Sequence, residues 1–290
     1  MKRQSRERRN RAVHVRLTER DALLIEAVNR FRLVRTRDLL AVAFSGVRPM
    51  TASLRLRRLF DAGYLDVACG DRSQENTYSL GPLGRRWVES QGIPVGRVPR
   101  GGAAHHLAIV RAWSGVAGIL QRLPGTALEL ARPDWELREE FADSGLPIIP
   151  DLFMVLRVAA KDGREQSVAL AVEVDLGTET LRVLERKLAV YAELTDRRSG
   201  LFGHRDFGLA VVLANPGRGK AVRQLIERRW SGWWLLWTEE DGPRFAVSEL
   251  VNAIAGGDQP AVTDSRSGNR GSAGVTPASS MTNSPFPRGH

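Results

Sequence analysis

Two apolar runs, DLFMVLRVA (151–159) and SVALAVEVDL (167–176), stand close together, separated only by the polar segment AKDGREQ. Neither alternates cleanly between apolar and polar residues. Both are dense in Val, Leu and Ala, the composition of strands covered on both faces, and such strands belong in a sheet flanked by helices. The surrounding pattern agrees. A helix through HHLAIVRAWSGVAGILQRL begins at His105, with strand-like pieces at ALEL (127–130) and DWELREEF (134–141) before the two runs. After them come a helix from about Glu179 to Leu194, the strand FGLAVVLA (207–214), a helix from about Arg218 to Trp230 and a strand at WWLLWT (233–238). This order predicts a mixed sheet with helices on it, an α/β domain over residues 105–250.

The first third of the chain has a different character. Residues 1–100 hold 21 of the 43 Lys and Arg but 10 of the 33 Asp and Glu, so the whole basic excess of the +10 chain lies there. Positive charge gathered on one small module attracts a polyanion, with nucleic acid first among the candidates. The alternative is an Arg-rich surface with no such ligand. Residues 1–16, with seven Lys and Arg and one Glu, are expected to form a disordered basic arm.

Residues 17–90 then read as helix, helix, helix, hairpin. Thr18 is placed to cap a first helix with inward Leu24, Ala27, Val28 and Phe31. Thr36 is placed to cap a second, RDLLAVAF, and Thr51 to start a third, TASLRLRRLFDAGYL, whose Arg55 and Arg58 fall three apart on one exposed face, with Arg57 on another flank. YLDVA and NTYSL, joined by the polar turn CGDRSQE with Arg72, read as a wing. That is the winged helix-turn-helix arrangement, whose third helix enters the major groove. Thr51, Arg55, Arg57, Arg58 and Arg72 are the DNA-contact candidates. The other use of such a module is protein interaction. Residues 91–104, rich in Gly and Pro, read as a linker.

Asp151 heads one buried strand, and Glu173-Val174-Asp175 closes the next. Alternation puts Glu173 and Asp175 on one side. If the strands are neighbours, three carboxylates converge, and hard oxygen ligands of this kind suit Mg²⁺ or Mn²⁺, which activates water and stabilises charge on a phosphodiester. Lys187 and Tyr191, four apart on the following helix, face the same strand end, suited to contacting and positioning a phosphate. His105 and His106 read as surface or capping residues, Trp233, Trp234 and Trp237 as a core edge or partner-facing patch, Glu139 and Glu140 as solvated, and Asn215-Pro216-Gly217 as turn chemistry.

The segments LTERDALLIEAVNRFRLVRTRDLL, LRRLFDAGYLD, TYSLGPLGRR, PDLFMVL, EVDLGTE and LERKLAVYAEL together resemble the replication-relaxation proteins of actinobacteria and firmicutes, from about Leu17 to Leu213. The resemblance implies a winged helix followed by a restriction-endonuclease-like α/β domain of the PD-(D/E)xK superfamily, with a link to plasmid replication or DNA relaxation. It puts Asp151 at the PD position and Glu173 at the acidic position of the next strand. Asp175 stands where active members usually keep lysine, which leaves Lys187 as the migrated basic group. Glu136 is the substitute for an acidic residue that the helix from His105 lacks.

The expected partner is double-stranded DNA, with a second copy of the chain or replication proteins for assembly, and no membrane. The reaction, if there is one, is Mg²⁺-dependent nicking or cleavage; the alternative is a non-enzymatic replication or transcription factor with an inactive nuclease-like domain. One cysteine, Cys69, and the lack of an apolar run long enough for a bilayer or a secretion signal point to the cytoplasm. The tail from residue 256, rich in Gly, Ser, Thr, Asn and Pro, is expected to be disordered.

Overall fold

The computed structural model describes residues 14–68, 75–98, 102–197, 200–257 and 263–264. The expectations for most of the basic arm, for Cys69 and Arg72 in the hairpin turn, and for the tail after residue 264 lie outside the described residues.

Helix α1 (Glu19–Phe31) starts where Thr18 and Asp21 satisfy each other's backbone: Thr18 N donates to Asp21 Oδ2 at 2.8 Å and Asp21 N to Thr18 Oγ1 at 3.3 Å. Its buried side is Leu24, Ile25, Val28 and Phe31. Strand β1 (Val34–Arg35), helices α2 (Thr36–Ala43) and α3 (Pro49–Asp61), and strands β2 (Leu65–Ala68) and β3 (Thr77–Leu80) follow. β1 pairs with β3, so the hairpin becomes a three-stranded antiparallel sheet in the order β1-β3-β2. Two boundaries differ from the sequence reading. Thr36 is the first residue of α2 rather than its cap, its hydroxyl donating instead to Asn76 O at 3.2 Å. α3 starts at Pro49, whose fixed φ suits a first helical turn, two residues before Thr51. Helix α4 (Pro82–Ser90) closes this unit.

The second unit contains helix α5 (Ala103–Leu120), strand β4 (Thr126–Pro133), helix α6 (Asp134–Glu140), strands β5 (Leu152–Ala159) and β6 (Glu165–Asp175), helix α7 (Leu181–Asp196), strand β7 (Phe207–Leu213), helix α8 (Gly219–Arg229), strand β8 (Trp234–Thr238), helix α9 (Arg244–Gly256) and strand β9 (Thr263–Asp264). DWELREEF is therefore a helix, not a strand. Pro133 ends β4, Asp134 and Glu136 sit in a helical first turn that favours negative charge, and only Leu137 is buried. Helix α9 was not read from the sequence; it buries Ala246, Val247, Leu250, Val251 and Ile254 at helical spacing.

The six strands run in the order β4-β5-β6-β7-β8-β9, antiparallel as far as β6 and parallel from there. This is the mixed α/β sheet expected. Alternation sorts its side chains onto two faces. Met154, Leu156, Leu170, Val172, Val212 and Trp237 join α5 and α9, while Phe153, Val155, Ala171, Val211, Trp234 and Leu236 join α7 and α8. Trp234 and Trp237 are fully buried, so they are core.

The first of these cores does not stop at the sheet. It runs through α5 into the amino-terminal unit, taking in Leu24, Phe31, Leu39, Leu56, Leu65 and Val88. Helix α5 is apolar nearly all round, as a helix walled in on several sides must be. Phe31 stacks on Trp113 with centroids 3.9 Å apart, and a Cβ on Gly118 would stand 3.1 Å from Ala41 O, so the helices approach closely there. Polar groups fasten the same junction. The buried His106 Nε2 donates to Phe31 O at 2.5 Å and its ring stacks on Trp135, while Trp135 Nε1 donates to Arg30 O at 3.1 Å. Ser114 Oγ donates to Asp38 Oδ1 at 2.8 Å. The Gly/Pro segment read as a linker is held as well: the Asn29 amide donates to Pro94 O and accepts from Gly96 N, both at 2.9 Å.

A shared core predicts that both units unfold together. Urea transitions followed by tryptophan fluorescence and by far-ultraviolet circular dichroism should coincide, and two separated transitions would contradict the continuous core. His106→Ala, which removes a buried hydrogen bond to the Phe31 carbonyl and the ring stacked on Trp135, should cost about 2 kcal/mol in the same experiment.

Candidate functional site

The register of β5 on β6 pairs Leu152 with Val172, and one step further sets Asp151 opposite Glu173 at the sheet end. Both carboxylates lie on the face covered by α7, and both are buried, at 5% and 2% exposure. From α7, one turn apart, Lys187 Nζ donates to Glu173 Oε2 at 2.5 Å and the Tyr191 hydroxyl to Oε1 at 2.5 Å. Asp151 Oδ2 accepts from Val174 N at 2.8 Å, and Asp151 Oδ1 lies 3.2 Å from His105 Nε2. His105, from the start of α5, is thus part of the site. Two adjacent histidines on a helix point about 100° apart, so His106 enters the core while His105 reaches the carboxylate.

The charges are strongly coupled. Burial and the facing Asp151 push Glu173 up to about 7, against the pull of Lys187 and Tyr191. Burial also opposes the charge on Asp151, but His105, Lys187 and the Val174 N–H outweigh it and hold that carboxyl below its ordinary value. Burial disfavours the Lys187 ammonium too, yet Glu173 and Asp151 more than compensate, so its value rises. The hydrogen bond to Asp151 raises His105.

A family model described as replication-relaxation matches residues 25–204, well over half of the chain and all five of these residues. The chain belongs to the replication-relaxation family. No curated protein and no solved structure matches it. Membership supports a role in plasmid or mobile-element replication or relaxation.

Of the metal set expected in this replication-relaxation chain, Asp151 and Glu173 come together and Asp175 does not join them. Asp175 shares the face of Glu173 but sits two residues further along β6. There Arg218 Nε approaches it to 2.9 Å and Gly177 N donates to its Oδ1 at 2.8 Å. Glu136 points elsewhere, pairing with Arg30 at 3.2 Å beside a cavity of about 1280 Å³ between α1, α5 and β4. Among the described residues, no three His, Cys, Asp or Glu side chains gather closely enough to hold a metal ion. Every oxygen of Asp151 and Glu173 already has a partner from the chain itself. A divalent cation does not fit this arrangement as it stands.

The amino-terminal candidates also separate. Thr51 and Arg58 are exposed on α3. Arg55 is not on their free face: its guanidinium pairs with Asp21, 1% exposed, with Nε at 2.8 Å from Oδ1. It joins α3 to the cap of α1, a positioning task that spacing along α3 could not disclose. Arg57 pairs with Asp61 one turn on, at 2.9 Å. Two residues the sequence reading passed over, Met50 and Leu54, are 77% and 60% exposed and lie one turn apart on the side of Arg58.

The carboxylate cluster predicts opposite responses from its neighbours. Followed by the ¹³C signal of its side-chain carboxyl, the midpoint of Glu173 should rise by about one pH unit or more in Lys187→Met, rise in Tyr191→Phe, and fall in Asp151→Asn. The sign follows from which charge state each neighbour favours. A midpoint unmoved by all three would contradict the geometry.

Proposed function

We propose that this replication-relaxation chain is a DNA-binding protein of a plasmid or mobile element, docking on duplex DNA as a winged helix through α3 and the adjoining hairpin. The observation that carries the reading is the face of α3. Met50, Thr51, Leu54 and Arg58 are all solvent-exposed on a helix whose other side is core, and Arg48, which precedes its first residue, is exposed as well. Exposed Met and Leu along a surface helix suit the thymine methyl groups of a major groove, and Arg48 and Arg58 suit phosphates or guanine edges. The basic excess of the first hundred residues supplies the attraction over distance.

On this reading the α/β unit is a PD-(D/E)xK-like framework used for binding or assembly, because the chain's own donors occupy its carboxylates. A second reading, Mg²⁺-dependent nicking, is favoured by the meeting of Asp151, Glu173 and Lys187. Supercoiled plasmid incubated with protein and Mg²⁺ separates the two. Nicked product that disappears in Asp151→Ala and Glu173→Ala supports the nickase, and intact plasmid supports the non-enzymatic reading.

For DNA binding itself, filter retention across a salt series should give a steep loss of affinity. Arg58→Ala should weaken binding to all sequences and reduce the slope by about 1 if the contact is to phosphate. Arg55→Ala should act through the fold, costing about 3 kcal/mol by leaving the buried Asp21 carboxylate without its countercharge. A flat salt response would overturn the proposal.

A further inference from the structure

We infer that the Lys187 ammonium, held on Glu173, supplies the positive charge that a divalent cation would otherwise bring to Asp151 and Glu173, so that the site is compensated by the chain itself and takes up a metal ion only when that ammonium is removed. The inference deepens the non-enzymatic reading and rests on it for the α/β unit alone. It starts from charge. Two carboxylates facing each other across neighbouring strands, both nearly inaccessible to water, cannot remain charged without a cation close by. Lys187, from the middle of α7, provides it with a 2.5 Å contact to Glu173 Oε2, and His105 lies against Asp151 Oδ1 at 3.2 Å. The chain itself thus sets a cationic group against each carboxylate.

Geometry then closes the site. Glu173 Oε1 accepts from Tyr191 and Asp151 Oδ2 from the Val174 backbone, so a cation entering would have to displace donors as well as water. It would also bring charge into a cluster already balanced. Nor, among the described residues, is a third carboxylate in reach, and Arg218 engages Asp175. Replacing Lys187 with an uncharged residue reverses each condition. It removes the countercharge, so that Glu173 keeps its negative charge beside Asp151 only if another cation takes over, and a hard divalent ion then competes with a proton for that carboxylate.

The test is thermal unfolding with Mn²⁺ or Mg²⁺ alone, without DNA, on the full chain and on Lys187→Met. The full chain should melt at the same temperature with or without either ion. Lys187→Met should melt lower and recover on adding Mn²⁺, by roughly 5 to 10 °C at an ion concentration about a hundredfold above its dissociation constant. The recovery should vanish when Asp151→Asn is added. If Lys187→Met does not fold, Lys187→Gln serves in its place, and the magnetic resonance signal of free Mn²⁺ measures binding by the full chain directly. Ion binding by the full chain that is lost in Asp151→Asn would overturn the inference. So would a lysine-free variant indifferent to both ions, because the ammonium would then not be supplying the charge a metal ion can replace. DNA is absent throughout, so failure of the docking proposal would show in the filter assay and leave this experiment standing.

Discussion

Two buried carboxylates set opposite each other on adjacent strands impose a demand that the rest of the α/β unit answers. The antiparallel register of β5 and β6 fixes Asp151 across from Glu173, and burial on both faces of the sheet removes the water that would screen them. Helix α7 crosses that face with Lys187 and Tyr191 one turn apart, so a single helix delivers both a countercharge and a neutral donor. Helix α5 brings His105 from the other side. The polar cluster is thus also a fastening between the sheet and two helices, and its charge state and its packing are not separable.

The same helix α5 couples this site to the amino-terminal unit. Its first turn carries His105 toward Asp151 and His106 toward the Phe31 carbonyl at the end of α1, within consecutive residues. α1 in turn is fixed to α3 by the Asp21–Arg55 pair. A continuous path of packed elements therefore joins the exposed face of α3 to the carboxylates.

Much of this was legible in the sequence, for identifiable reasons. The strands β5, β6 and β7 announce themselves because burial on both faces leaves no room for polar residues. Period-two alternation correctly assigns Glu173 and Asp175 to one side. It could not show that Arg218, from beyond the next strand, would draw Asp175 away, because ion pairing between distant segments leaves no local periodicity. Arg55 was misplaced for the same reason, its partner Asp21 lying in another helix. DWELREEF offered apolar positions compatible with a strand, and the helix was decided by Pro133 ending β4 and by favourable acidic residues in a first turn. The Gly/Pro segment before α5 looked like a spacer because the amide that holds it belongs to Asn29, far back in α1.

Charge compensation from within the chain is the claim on which the reading of the α/β unit turns. The ¹⁵N resonance of the Lys187 ammonium, recorded at neutral pH before and after adding Mg²⁺, reports on it directly. An ammonium held against Glu173 should exchange its protons slowly and give a signal that Mg²⁺ leaves unchanged. A signal that shifts or broadens away with the ion would mean that Mg²⁺ displaces the lysine, and would contradict the account.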